Sequence, residues 1–219
     1  MPESFAPLPG LLQSLAHAEN YLSPYPHWLL SGILPDSAVD AICALPFAAP
    51  QISDTMGRRE TNNSTRQFFS PREQADFPVC AALASAFQGR AWLDALQKRC
   101  GINLTDRFLR IEYCQDINGF WLEPHTDIGA KFFTMLIYLN DSPPGEAWGT
   151  DIYETPDHRL GPAPAGRNRG LIFIPSQNSW HGFEQRAITG VRRSLIVNYV
   201  TPAWRARHEL AFPERPVQM

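Results

Sequence analysis

His125 and Asp127, in the stretch PHTD, are two residues apart between a glycine-aromatic turn (119–121) and an apolar run (132–139). An extended segment turns residues i and i+2 to the same side, so the two side chains can converge on one ion while Thr126 faces away. A helical metal motif would need i, i+4 spacing instead. The pattern alone decides little: six histidines and 22 acidic residues in 219 give ~0.6 matches to His-x-Asp/Glu by chance, and the pair could equally be loop residues in contact. A mid-row transition metal needs a further nitrogen ligand, and His17, His27, His158, His181 and His208 are the remaining candidates. His181 stands out because it follows GLIFIPSQNSW, a strand and then a tight polar turn, which places it at a strand's mouth. His27, His158 and His208 read as surface or structural residues.

Two histidines and one carboxylate with three positions open form the facial triad of non-haem Fe(II) sites. Three ligands and a water would also fit zinc. The segment GVRRSLIVNY (190–199) favours iron with a keto-acid cosubstrate. Strand alternation puts Arg192, Ser194, Ile196 and Asn198 on one face, and Arg193, Leu195 and Val197 on the other. An arginine on the inward face of a small barrel is costly unless it meets an anion. A dicarboxylate supplies one, held by the guanidinium fork with Ser194 as a further donor.

These residues need strands to bring them together, and the chain after Gly101 has them. RFLRIEY (107–113), KFFTMLIYL (131–139), TDIYE (150–154), GLIFIP (170–175) and RRSLIVNYV (192–200) are rich in β-branched and aromatic residues and separated by turn signals. This predicts a sandwich or jelly roll. Before Gly101, residues 1–24 predict a helical arm, 27–34 a short strand, and 35–45, 76–88 and 90–100 helices. Residues 46–75 predict a long polar loop. The expected architecture is one α+β domain over 1–219, in which 1–101 is mainly helical support and 102–205 is a jelly-roll core.

Composition narrows the function. A net charge of −3 gives no electrostatic case for nucleic acid or an acidic membrane. No apolar run approaches a membrane span. Four widely spaced cysteines without a CxxC pair, and no evident signal peptide, predict reduced thiols and a cytoplasmic protein.

Taken in order, RIEY (110–113), PHTD (124–127), MLIYLN (135–140), WGTDIY (148–153), LIFIP (171–175), WHGF (180–183) and Arg192-x-Ser194 resemble the 2-oxoglutarate- and Fe(II)-dependent dioxygenase superfamily, in particular its prolyl-4-hydroxylase-like branch. The resemblance covers about residues 107–201. It implies a double-stranded β-helix with an N-terminal helical layer packed on one sheet. It implies Fe(II) held by His125, Asp127 and His181, with 2-oxoglutarate and O2 as cosubstrates and ascorbate as a candidate addition. The cosubstrate's C5 carboxylate would meet Arg192, helped by Ser194 and Tyr138, with Tyr113 near its other end. That branch often uses a lysine or a differently spaced arginine, which keeps Arg193 as a rival to Arg192. Asp127 stands where related halogenases carry a small residue, which favours hydroxylation. The expected substrate is a polar small molecule or amino-acid-like group, with a peptidyl (prolyl-type) hydroxylase, an inactive jelly-roll binding module and a cupin-like zinc enzyme as the alternatives. Arg58, Asn62, Asn63 and Arg66 of the polar loop and Trp121 are the candidate substrate contacts. The stretch 155–169, with Asp157, His158, Arg159 and Arg167, is a second candidate lid.

Overall fold

The computed structural model describes residues 5–58, 66–141 and 143–218. The helices α1 (Pro7–Ala16), α2 (Asp36–Cys43), α3 (Pro71–Asp76), α4 (Pro78–Gln88) and α5 (Arg90–Cys100) precede most of the strands. Prolines sit in the first turn of α1, α3 and α4, where the missing N–H costs no helical hydrogen bond. Gly101 ends α5 in the left-handed conformation with φ +66°.

Seven strands form an antiparallel major sheet in the order β1-β2-β9-β6-β11-β4-β3: β1 (Glu19–Tyr21), β2 (His27–Ser31), β3 (Gln67–Phe68), β4 (Phe108–Asp116), β6 (Lys131–Tyr138), β9 (Arg169–Phe173) and β11 (Arg192–Val200). The minor sheet has the order β5-β10-β7-β8: β5 (Leu122–His125), β7 (Asp151–Thr155), β8 (His158–Pro162) and β10 (His181–Phe183). Together they make the expected jelly roll, with a helical layer on one sheet.

Alternation along the strands sorts the two faces of the major sheet. Leu109, Ile111, Phe133, Met135, Leu195, Val197 and Tyr199 face outward into one core with Leu83, Trp92 and Leu96 of the helices. Trp92 Nε1 donates to the Tyr199 hydroxyl (3.0 Å), which donates in turn to the Phe87 carbonyl at the end of α4. Leu136, Tyr138, Leu171, Phe173 and Ile196 face inward, toward the minor sheet.

Several expectations change. The arm over 1–24 stops at Ala16, and Glu19–Tyr21 is an edge strand paired with β2. The second half of the predicted polar loop 46–75 forms β3 and most of α3, which ends at Asp76, so the helix predicted over 76–88 begins only at Pro78. The stretch 155–169 is no lid. It carries the β7–β8 hairpin, with Arg159 on the buried Asp151 carboxylate and Arg167 bonded to Asp40. The short strands β5, β8 and β10, too brief for a periodic signal, escape the sequence reading.

Candidate metal centre and cavity

Antiparallel pairing of β5 with β10 sets His125 directly against His181, with ring centroids 4.4 Å apart. Gly182 permits this approach: a Cβ there would lie 2.9 Å from the Leu122 carbonyl oxygen. Asp127 follows β5, and ligand atoms of His125, Asp127 and His181 all lie within 4.8 Å of one another.

Each imidazole is oriented through its other nitrogen. Nδ1 of His125 lies 2.8 Å from the Glu123 carbonyl, and Nδ1 of His181 lies 2.9 Å from the Ser179 carbonyl. A carbonyl oxygen only accepts, so each Nδ1 carries the proton and each Nε2 keeps its lone pair toward the centre. Burial pushes the His181 imidazole down to about 4, and the neighbouring Asp127 carboxylate offsets this only in part. Burial alone would raise Asp127. The Lys131 ammonium, His181 and the hydrogen bonds from Lys131 and Thr134 outweigh it and hold the carboxyl well below its usual range. At neutral pH His181 and Asp127 are therefore in their ligating forms. Two oriented imidazoles and one carboxylate on a single cavity wall fit the donor set of a non-haem iron site.

Asp127 is the first member of a buried chain. Thr134 Oγ1 donates to Asp127 Oδ2 (2.7 Å), and Asn198 Nδ2 donates to Thr134 Oγ1 (3.0 Å). Arg110 Nη1 donates to Asn198 Oδ1 (3.0 Å), and Arg110 also binds Glu112 (2.9 Å) and Glu209 (2.6 Å). Glu112 takes the two-pronged fork of Arg66, at 2.8 Å for each bond. The near-isosteric change Thr134→Val removes the hydroxyl that fixes Asp127. It is expected to weaken Mn(II) binding roughly 10- to 100-fold, the usual cost of losing a group that orients a ligand. Isothermal titration checks this, with a thermal melt to show that the protein remains folded.

The centre opens into a cavity of about 240 Å³. At its buried end lie Arg192, Ser194, Thr150, Phe120 and Phe183, each at most 5 % exposed. Arg192 faces inward, as strand parity predicts, but its charge is not left for a ligand alone to balance. Arg192 Nη1 donates to Asp116 Oδ2 and Nε to the Trp148 carbonyl (2.8 Å). Asp116 is its partner across β4–β11, and a strand taken as ending at Tyr113 hides it. Ser194 Oγ is buried and has no hydrogen-bond partner among the described residues. Tyr138, in register with Ser194, accepts from the Thr150 N–H (3.1 Å) and keeps its own proton to donate.

Other expected residues lie elsewhere. Tyr113 points to the outer face, against Phe47 (6.3 Å between ring centroids), because it is one residue out of phase with Glu112 and Cys114. Arg193 is on that same outer side, near Tyr113 and Cys43, which removes it as a rival to Arg192. Trp121 does not line the cavity; it packs over Gly57 and its indole donates to Asp54 (2.6 Å). Arg58 is exposed and away from the cavity wall. Arg66 does line it, while Asn62 and Asn63 fall outside the described residues. Lys131, Thr134, Glu112 and Trp204 line the cavity without having been foreseen there, and Asn198, which strand parity puts on the Arg192 face, enters as the link between Arg110 and Thr134.

No family model matches the chain, and no curated protein matches it in sequence. Solved structures do match its fold. A Pseudomonas putida prolyl-4-hydroxylase aligns with TM-score 0.55 and 16 % identity over 90 % of this chain and 95 % of its own. A Trichoplax adhaerens prolyl hydroxylase, in complex with a hypoxia inducible factor oxygen degradation domain peptide fragment, aligns with TM-score 0.58 and 14 % identity over 88 % of each chain. HygX from Streptomyces hygroscopicus, with nickel and 2-oxoglutarate bound, aligns with TM-score 0.51 and 12 % identity over 81 % of this chain and 83 % of its own.

Proposed function

We propose that the chain is a 2-oxoglutarate- and Fe(II)-dependent dioxygenase that hydroxylates a small polar or amino-acid-like substrate. The observation that carries this reading is the convergence of His125, Asp127 and His181 at the wall of a cavity whose buried end holds Arg192 and Ser194. The fold shared with prolyl hydroxylases and with a 2-oxoglutarate-binding protein supports it.

Fe(II) bound with 2-oxoglutarate and O2 supplies the oxidising chemistry, with the balance substrate–H + 2-oxoglutarate + O2 → substrate–OH + succinate + CO2. The protein holds the pieces in place. His125 and His181 present Nε2, Asp127 presents a carboxylate oriented by Thr134, and the paired Arg192 keeps donors for a second carboxylate. Arg192 and Ser194 line the end where the cosubstrate's C5 carboxylate would rest, and Tyr138 backs Thr150 there through its hydroxyl. Phe120, Phe183 and Trp148 cover that end and keep it dry, which strengthens each charged hydrogen bond within it.

The test is succinate formation from 2-oxoglutarate with Fe(II), O2 and a panel of amino acids, small acids and peptides, using His125→Ala as the blank. Succinate at the level of the blank across the panel would favour a binding module without turnover. A second variant probes the cosubstrate end. Ser194 Oγ has no partner among the described residues, so Ser194→Ala is expected to melt no lower than the parent protein. It is nevertheless expected to raise the 2-oxoglutarate concentration for half-maximal succinate formation by ~10-fold, the value of one hydrogen bond to a charged group.

A further inference from the structure

The cavity's two ends differ in chemistry. Opposite the Arg192 end, the wall is formed by Ile128, Thr126, Lys131, Arg66 and Trp204, all exposed or partly exposed. Substrate enters here, because the other end is closed. Both carboxylates at this end are covered: the side chains of Glu112 and Asp127 are only 2 % and 3 % exposed. Glu112 already accepts from Arg66 and Arg110.

The polar groups left to meet a ligand are mainly donors. Among the described residues Lys131 Nζ has one carboxylate partner, Asp127 Oδ1 at 2.5 Å, and its side chain is 22 % exposed. Trp204 Nε1 is buried and has no acceptor among the described residues, and its ring lies over the Arg110 guanidinium (5.1 Å). Asp127 is also a metal ligand in the function proposed above. Metal there takes up the charge that Lys131 is using, and the ammonium then needs another anion.

We infer that the open end is a carboxylate subsite, in which Lys131 and the Trp204 indole N–H hold the acid group of a small-molecule substrate while the rest of it points at the metal. An ammonium and one N–H suit the two oxygens of a carboxylate, whereas a phosphate calls for more donors. A cavity of about 240 Å³ that must also admit the cosubstrate leaves room for only a small reacting part. This inference rests on the dioxygenase reading.

Proton relaxation in the presence of bound Mn(II) tests it without turnover. The protein is loaded with Mn(II) and 2-oxoglutarate, and pentanoate or pentanamide is added as the probe. The expected result is faster relaxation of pentanoate, stronger at its methyl group than at the CH2 beside the carboxylate. Binding of pentanamide should be at least ~10-fold weaker. Lys131→Met is expected to remove the pentanoate effect, Lys131→Arg to restore most of it, and Trp204→Phe to weaken it several-fold; because Lys131 also bonds Asp127, each variant is compared at an Mn(II) concentration that saturates it. Equal relaxation of acid and amide, a Lys131→Met variant that relaxes pentanoate like the parent, or strongest relaxation beside the carboxylate would overturn the subsite. In those cases the dioxygenase reading survives, since Mn(II) and 2-oxoglutarate have bound. If Mn(II) does not bind, or binds without regard to 2-oxoglutarate, both ideas fall.

Discussion

His181→Ala is expected to abolish succinate formation and to weaken Mn(II) binding by at least ~100-fold, beyond the usual cost of losing a group that merely orients a ligand. The imidazole is buried, packed between His125 and the Phe173 ring (4.6 Å), and tied at Nδ1 to a backbone carbonyl. No other nitrogen ligand stands near enough to replace it: among the described residues, the metal-capable group consists of His125, Asp127 and His181. The same residue gives the metal-free protein a pH signature. Its folded value, about 4, lies below the ordinary 6.5 of an unfolded histidine. The folded state therefore resists its protonation. The stabilisation is fully present above pH 6.5 and is lost as pH falls from there through 4. Melting temperatures of the metal-free parent should drop across that window, and those of His181→Ala should drop less. Parallel profiles would show that His181 is not buried as a neutral ring.

Arg110→Met is expected to cost ~3–5 kcal/mol of stability, the range for removing one partner of a buried ion pair. Arg110 is completely buried, between the rings of Phe68 (4.7 Å) and Trp204 (5.1 Å), and its donors meet Glu112, Glu209 and Asn198. Methionine fills much of the space but leaves the Glu209 carboxylate, with a side chain only 12 % exposed, without that partner. For a chain of this size the loss corresponds to a fall in melting temperature on the order of 10 °C. Arg72→Met is the control. Its ion pair with Asp76 is 4.0 Å long and exposed, and such pairs contribute little. A melt of Arg110→Met within a degree or two of the parent would mean that the charge network is not closed as described. Because Asn198 links Arg110 to Thr134 and Asp127, the folded fraction of Arg110→Met should also bind Mn(II) more weakly.

The convergence of His125, Asp127 and His181 was legible because strand parity and turn signals survive in sequence: i, i+2 spacing carries His125 and Asp127, and a strand followed by a polar turn carries His181. Arg192 and Ser194 were legible by the same parity. Tyr113 was misjudged because parity was applied to β11 and not to β4, where Glu112 and Cys114 hold the inward positions. Asp116 was missed because β4 runs three residues past the aromatic stretch, through polar residues that look like turn. Long-range pairings such as Arg110 with Glu209, or Trp204 with the cavity, have no local signal: they depend on where the chain after β11 folds back. β5 and β10, which hold the two histidines, are four and three residues long. Their pairing is a tertiary fact that only the closed barrel reveals.

Loss of the free Mn(II) electron paramagnetic resonance signal during titration, with and without 2-oxoglutarate, tests the centre itself. One Mn(II) per chain is expected, bound ~10-fold or more tightly when 2-oxoglutarate is present and lost with His125→Ala. A titration in which Mn(II) stays free, or binds equally well without 2-oxoglutarate and in His125→Ala, would contradict it.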